Sequence, residues 1–268
     1  MGPWLRLSVL VCCALAAGCA RQPRAASVSP SRLTAWARSL HPFLPPPLVL
    51  SKPQTLFHEP FNVLDESRWR EVEVKGRTAY DIVDLDGLRT LKGHSQGGAS
   101  VILWPGRFDP RQYPWISWRW RIDQPVSGED LTRKEGSDAS ARIYVYFDTA
   151  GLPWQKRSVD YVWSTAQPLE TVLTSPFSKS SKIIVADTGP QPLGTWRAVA
   201  RNILEDYQRC FGEDPPNVSA IGIMVDADNT HSEAVAYFDD LMITREAPPL
   251  PPDAATASQP APASETRL

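Results

Sequence analysis

A mostly β sandwich or jelly roll carrying one amphipathic helix is the fold class this sequence predicts, and three observations predict it. Apolar and polar residues alternate through the middle of the chain. The alternating runs are short and separated by clusters such as QGG, DTGPQPLG and GEDPPN, the punctuation of many short strands joined by turns. Helical spacing of apolar residues is read in a single stretch, near residues 195–211.

In PWISWRWRID, Ile116, Trp118, Trp120 and Ile122 fall on one side of a strand and Ser117, Arg119 and Arg121 on the other. ARIYVYFD repeats the pattern, with Ala141, Ile143, Val145 and Phe147 opposite Arg142, Tyr144, Tyr146 and Asp148. TAYDIVDL, ASVILWP, SVDYVWST, SKIIVAD, SAIGIMVD and AVAYFDDLMIT supply the remaining predicted strands. For the helix, GTWRAVARNILEDYQRCFG gathers Trp196, Val199, Ile203, Tyr207 and Phe211 on one side, with Thr195 as N-cap and Gly212 as C-terminal stop. Its polar side carries Arg197, Arg201, Asn202 and Asp206, expected to pair with Asp226 or Asp228, since Arg201 and Asp206 are too far apart for an ideal helical pair.

Four segments follow from composition. Residues 1–18 read as a secretory signal: Arg6 precedes the apolar run Leu7–Ala17, which is about half the ~20 residues a membrane span needs. The run closes on ALAAGC, which resembles the bacterial lipobox and implies lipidation of Cys19, anchoring in a membrane through that lipid, and residence in the cell envelope. With Ala20 rather than aspartate after the cysteine, the sorting rule for such lipoproteins implies the outer membrane, facing the periplasm. Residues 19–53 form a Pro-rich linker, 54–246 one domain with enough apolar and β-branched content for a core, and 247–268 a Pro/Ala tail of disordered composition.

Net charge is −2 and both signs are mixed along the chain, so nothing marks a nucleic-acid partner. Of the four cysteines, Cys12 and Cys13 lie in the signal and Cys19 at its end, leaving Cys210 without an intrachain partner. Cys210 reads as a small buried apolar residue rather than a reactive thiol, with no neighbouring His to activate it. No GxSxG, HExxH, phosphate-loop or dinucleotide motif occurs, and His41, His58, His94 and His231 are scattered.

EGSDASARIYVYF, DYVWS, WRAVARNILEDYQRCFGEDPP and AIGIMVDADNTHSEAVAYFDDL, in that order, resemble the bacterial domain-of-unknown-function family 3047 over most of Gln54 to Glu246. Ser137-Asp138 departs from the family's frequent Asp-Asp, and YFDDL from its glycine-bearing version. The family's layout is similar to galactose-binding-like jelly rolls, which include many carbohydrate-binding modules; the resemblance implies that fold and leaves the activity open. In such jelly rolls the first and last strands lie together and often share a structural calcium, which implies Glu59 with Asp239 or Asp240 as its ligands.

Two further groups carry chemistry. In DADNTHSE, Asp226, Asp228, Thr230 and Ser232 alternate like oxygen ligands of a calcium loop. His231 and Tyr237 stand where an EF-hand needs Gly and Glu, so the readings left are a turn capped by Asp228 and Asn229, a different calcium site, or ligand-facing carboxylates. If their strands align, Arg119, Arg121, Arg142, Tyr144, Tyr146, Tyr161 and Trp163 make a cationic and aromatic face suited to a glycan, with Lys134, Asp138 and Asp160 on its rim; an internally satisfied second layer would use the same residues. The expectation is a non-catalytic binding module for carbohydrate or another envelope polymer. An enzyme acting on envelope glycans through Asp226, Asp228 or Asp138, and a scaffold for a protein partner, are the alternatives.

Overall fold

The computed structural model describes residues 54–150, 156–189 and 193–249. The signal, Cys19, the linker to residue 53, and the tail from residue 250 lie outside the described residues. The strands are β1 (Thr55–Glu59), β2 (Arg70–Lys75), β3 (Ala79–Leu85), β4 (Leu88–Gln96), β5 (Ala99–Trp104), β6 (Trp115–Gln124), β7 (Ala141–Phe147), β8 (Ser158–Ser164), β9 (Val172–Thr174), β10 (Ser181–Thr188), β11 (Arg197–Asn202), β12 (Val218–Asp226) and β13 (Glu233–Thr244), with helix α1 at Ile203–Phe211.

They form the predicted sandwich. One sheet runs β11-β6-β13-β4-β3, with β1 also paired to β13; the other runs β2-β5-β12-β7-β8-β10-β9. All pairs are antiparallel except β8 with β10. The predicted alternation decides what lies between the sheets: Ile116, Trp118, Trp120 and Ile122 of β6 meet Ile143, Val145 and Phe147 of β7 and Ile221, Ile223 and Val225 of β12 in one buried core. Strand β4, LRTLKGHSQ, has no apolar alternation to betray it. Its inward residues are small where the sheets approach closely: a Cβ on Gly93 would lie 2.6 Å from Val225 Cγ2.

Alternation slips once along β13. Ala234, Ala236 and Phe238 face the core, then Leu241 and Ile243, because a bulge at Asp239–Asp240 inserts a residue, with Asp240 at φ 48°.

The helix is shorter than the sequence predicts. Residues 197–202 form β11, which pairs with the edge of β6 from Arg197 opposite Trp120 to Asn202 opposite Trp115. Asn202, rather than Thr195, is the N-cap, its Oδ1 accepting from the N–H groups of Leu204 (3.1 Å) and Glu205 (3.3 Å). Gly212 closes the helix in the left-handed conformation, as expected. WRAVARN has adequate helix propensity, but β6 would otherwise leave a row of peptide groups unpaired, and tertiary pairing overrides propensity. The change of element reassigns the ion pairs. Arg201, on a strand, reaches Asp206 in the helix (2.9 and 2.7 Å), and Arg197 pairs with Asp187 (2.9 and 2.8 Å); neither meets Asp226 or Asp228.

Candidate functional site

The outer face of the seven-stranded sheet carries the site, and β7 is its spine. With Ile143, Val145 and Phe147 committed to the core, Arg142, Tyr144 and Tyr146 must point outward. On one side they are flanked by Met224, Gly222 and Ala220 of β12, on the other by Val162, Asp160 and Ser158 of β8. Gly222 is what lets Tyr144 settle: a Cβ there would lie 2.9 Å from Val101, 3.0 Å from Leu103 and 3.3 Å from Tyr144. The tyrosine rings stack at 5.2 Å and 13°, and the Arg142 guanidinium lies 5.5 Å from the Tyr144 ring, giving a ladder along the strand.

A cavity of about 670 Å³ crosses this ladder. Its lining begins at Val74 and Lys75 on β2, passes Met224 and Asp226, the β7 ladder, and Ser158 and Asp160, and ends at Ser181 with Ser175, Phe177 and Ser178 of the β9–β10 turn. The five spacings between the six strands from β2 to β10, ~4.8 Å apiece, make the groove roughly 24 Å long. The segment before β7 bounds it: Leu131 and Ala139 pack on Val162, Ile183 and Val185, and Ser137 of that segment joins the lining. Phe177 is 56% exposed, with the Lys134 ammonium 5.8 Å from its ring.

The floor is charged and buried. Arg142, 4% exposed, sits between Asp160 (4.0 Å) and Asp226 (3.6 Å) and donates to the Ser137 carbonyl (3.3 Å). Asp160, 1% exposed, accepts from Ser181 Oγ at 2.5 Å. Arg142 Nε, Asp160 Oδ1 and Ser137 Oγ are buried without a hydrogen-bond partner among the described residues. Burial raises both acids against the opposing pull of Arg142: Asp160 stands above the usual carboxylate range, and Asp226, with Asp138 and Asp228 also nearby, is pushed up to about 7.

Carboxylate oxygens of Asp138, Asp226 and Asp228 come within 4.8 Å of one another, the one such group among the described residues. Each is already engaged. Asp138 accepts from the backbone and side chain of Asn229 (2.8–3.2 Å) and of Thr230 (2.7 Å). Asp226 Oδ1 accepts from the Ala139 N–H (3.1 Å) and Asp228 faces the Lys75 ammonium (3.4 Å). The chain's own N–H groups and two of its cations thus fill the places a calcium ion would take, so the donor set fits a capped turn better than a metal. The other implied ligands are engaged as well. Strands β1 and β13 are neighbours as expected, but Glu59 binds Trp69 Nε1 (3.0 Å) and Arg68 (3.3 Å), Asp239 binds Arg119, and Asp240 binds His58 (3.1 Å) and Arg119 (3.1 Å).

The expected seven-residue face divides into three. Arg142, Tyr144 and Tyr146 line the groove. Arg119 and Arg121 belong to β6 in the other sheet, where they lie against Trp196 (5.2 Å) and Tyr237 (5.8 Å) and pair with Asp239 and Asp123. Tyr161 and Trp163 are in the core, the Tyr161 hydroxyl donating to Asp206 (2.9 Å). Side-chain parity shows which residues share a strand face, whereas membership of a sheet depends on pairing. The rim residues Asp138 and Asp160 are buried too. Ser137, Phe177, Lys75, Met224 and Gly222 also belong to the site, beyond the expected face; the glycine inside the apolar strand SAIGIMVD is the one sequence signal of such a close approach. Cys210 is half-buried and its thiol is pushed up to about 12 by burial, in keeping with an unreactive residue.

The model of a family described as "Protein of unknown function (DUF3047)" matches residues 67–242, where the sequence resemblance placed it. No curated protein matches the chain. Among solved structures, it is similar to a cellulose induced protein, Cip1 (11% identity, TM-score 0.39, 71% of this chain and 97% of that one). A family 30 carbohydrate binding module (16%, 0.36, 66% and 99%) and the mannan-recognising module TmCBM27 (9%, 0.33, 72% and 97%) are comparably similar. Likeness this faint says nothing of this chain's ligand.

Proposed function

The chain belongs to the DUF3047 family, and since membership brings no chemistry with it, we propose a function from the groove: non-catalytic binding of a polysaccharide chain across the outer face of the seven-stranded sheet. One observation carries this reading. The groove combines an aromatic ring open to solvent, serine side chains at 137, 158, 175, 178 and 181 in its lining, and a buried Arg–Asp floor. An apolar ring covers the apolar face of a sugar, and hydroxyls with a carboxylate and guanidinium exchange hydrogen bonds with its rim. A length of roughly 24 Å suits a chain of several sugars better than a single one.

Titration calorimetry of the whole chain against soluble glucans, mannans and xylans is the test. Saturable binding to at least one is expected, weakened about 10-fold or more by Phe177→Ala with no change in unfolding midpoint, since Phe177 is largely exposed. Absence of binding, or binding indifferent to Phe177→Ala and Tyr146→Ala, would overturn the reading.

The proposal extends to location. A lipid on Cys19 holds the domain in the cell envelope, on the periplasmic side of the outer membrane, with the Pro-rich stretch as a spacer. The support is the signal-like layout and ALAAGC alone. Labelled palmitate is expected in the wild-type protein and absent after Cys19→Ala; a soluble, unlabelled wild-type product would refute it.

A further inference from the structure

Resting on the groove reading above, a finer inference concerns which glycans the groove admits. Three cations line it, and each already has an anionic partner. Arg142 lies between Asp160 and Asp226, Lys75 faces Asp228 at 3.4 Å, and Lys156 is held by Asp148 at 2.9 Å. A uronate or sulfate that took Arg142 or Lys75 would therefore break an existing pair and leave buried Asp160, Asp226 or Asp228 facing it; at Lys156 it would compete with the half-buried Asp148. A hydroxyl needs no such exchange. Asp160 Oδ1 has acceptor capacity left, while Arg142 Nε and Ser137 Oγ have donors left, and all three residues line the same cavity.

We propose that the groove selects an uncharged polysaccharide, seating unsubstituted sugar hydroxyls on Arg142, Asp160 and Ser137 and refusing carboxylated or sulfated chains. A sugar settled against Phe177 and the tyrosine ladder opens the seat by small shifts of the Arg142 and Ser137 side chains beneath it, and its pairing is with hydroxyls rather than with net charge. Affinity then depends little on ionic strength.

The test measures binding of the whole chain to neutral gluco-, manno- and xylo-hexaoses, to hexagalacturonate and to dextran sulfate, at 50 and 500 mM salt. The best neutral hexaose is expected to bind at least 10-fold more tightly than either anion, with less than a 2-fold change between the two salts. Asp160→Asn and, separately, Ser137→Ala are expected to weaken the neutral ligand several-fold or more, with unfolding midpoints recorded to show that each variant folds. Equal or tighter binding of an anionic ligand, or a steep loss of affinity with salt, overturns the inference. If that anionic binding is lost in Phe177→Ala, the groove reading stands and only neutrality falls; if no glycan binds, both fall. Unchanged neutral binding in both floor variants overturns the seat.

Discussion

Arg142→Met is expected to destabilise the domain by about 3–5 kcal/mol at pH 8, the cost of leaving buried carboxylates without their cation. Asp160 and Asp226 face Arg142 at 4.0 and 3.6 Å and are almost wholly buried. Methionine keeps most of the side chain's bulk, so packing accounts for little of the loss. The loss is expected to shrink markedly at pH 5, because carboxyls deprived of the guanidinium titrate still higher and enter the folded state protonated. Urea denaturation at the two pH values measures it. An equal loss at both would mean that Arg142 acts through packing rather than charge.

Asp226→Asn should change the shape of the stability–pH curve. Folded Asp226 titrates at about 7 against 3.8 as its ordinary value, raised by burial and by Asp138 and Asp228, and lowered by Arg142 and the Ala139 N–H. Between those two values the folded state binds more protons than the unfolded one, so unfolding free energy falls as pH rises. The advantage is complete below about pH 4 and gone above about pH 7, amounting to as much as ~4 kcal/mol. Asparagine cannot ionise and keeps an oxygen for the Ala139 N–H. The variant is therefore expected to lose this slope and to exceed the wild type in stability at pH 8. Asp160 and Asp239 are raised as well and stay in both proteins, so the difference between the two curves isolates Asp226. A difference that stays constant from pH 4.5 to 7.5 would sink the assignment.

Both predictions concern residues whose roles were only partly legible in the chain. Arg142 stands out by its alternation with Ile143 and Val145, and Asp226 by its alternation with Asp228, Thr230 and Ser232 in DADNTHSE. That the two meet required β7 and β12 to pair with Met224 opposite Arg142. The same limit separates Arg119 and Arg121 from the groove. Their strand has the same alternation as β7, yet it lies in the other sheet, between β11 and β13. Tyr161 and Trp163 went inward because β8 is buried on both faces, so polarity of the alternate residues could not say which face meets the core. Phe177 sits in a turn, where no periodicity reports on it.

What the sequence by itself determined is local: the sandwich class, the strands with clean alternation, the helix stop at Gly212, the outward direction of Arg142, Tyr144 and Tyr146, and the family. These depend on side-chain period and on the conformational demands of single residues, which act within a few positions of the chain. Only the tertiary structure decided which faces became neighbours, that residues 197–202 are a strand, and that the acids near 226–228 hold the chain's own cations. Those outcomes depend on strand pairing and on burial, which couple residues as distant as Arg142 and Asp226 and leave no trace in the spacing of either segment.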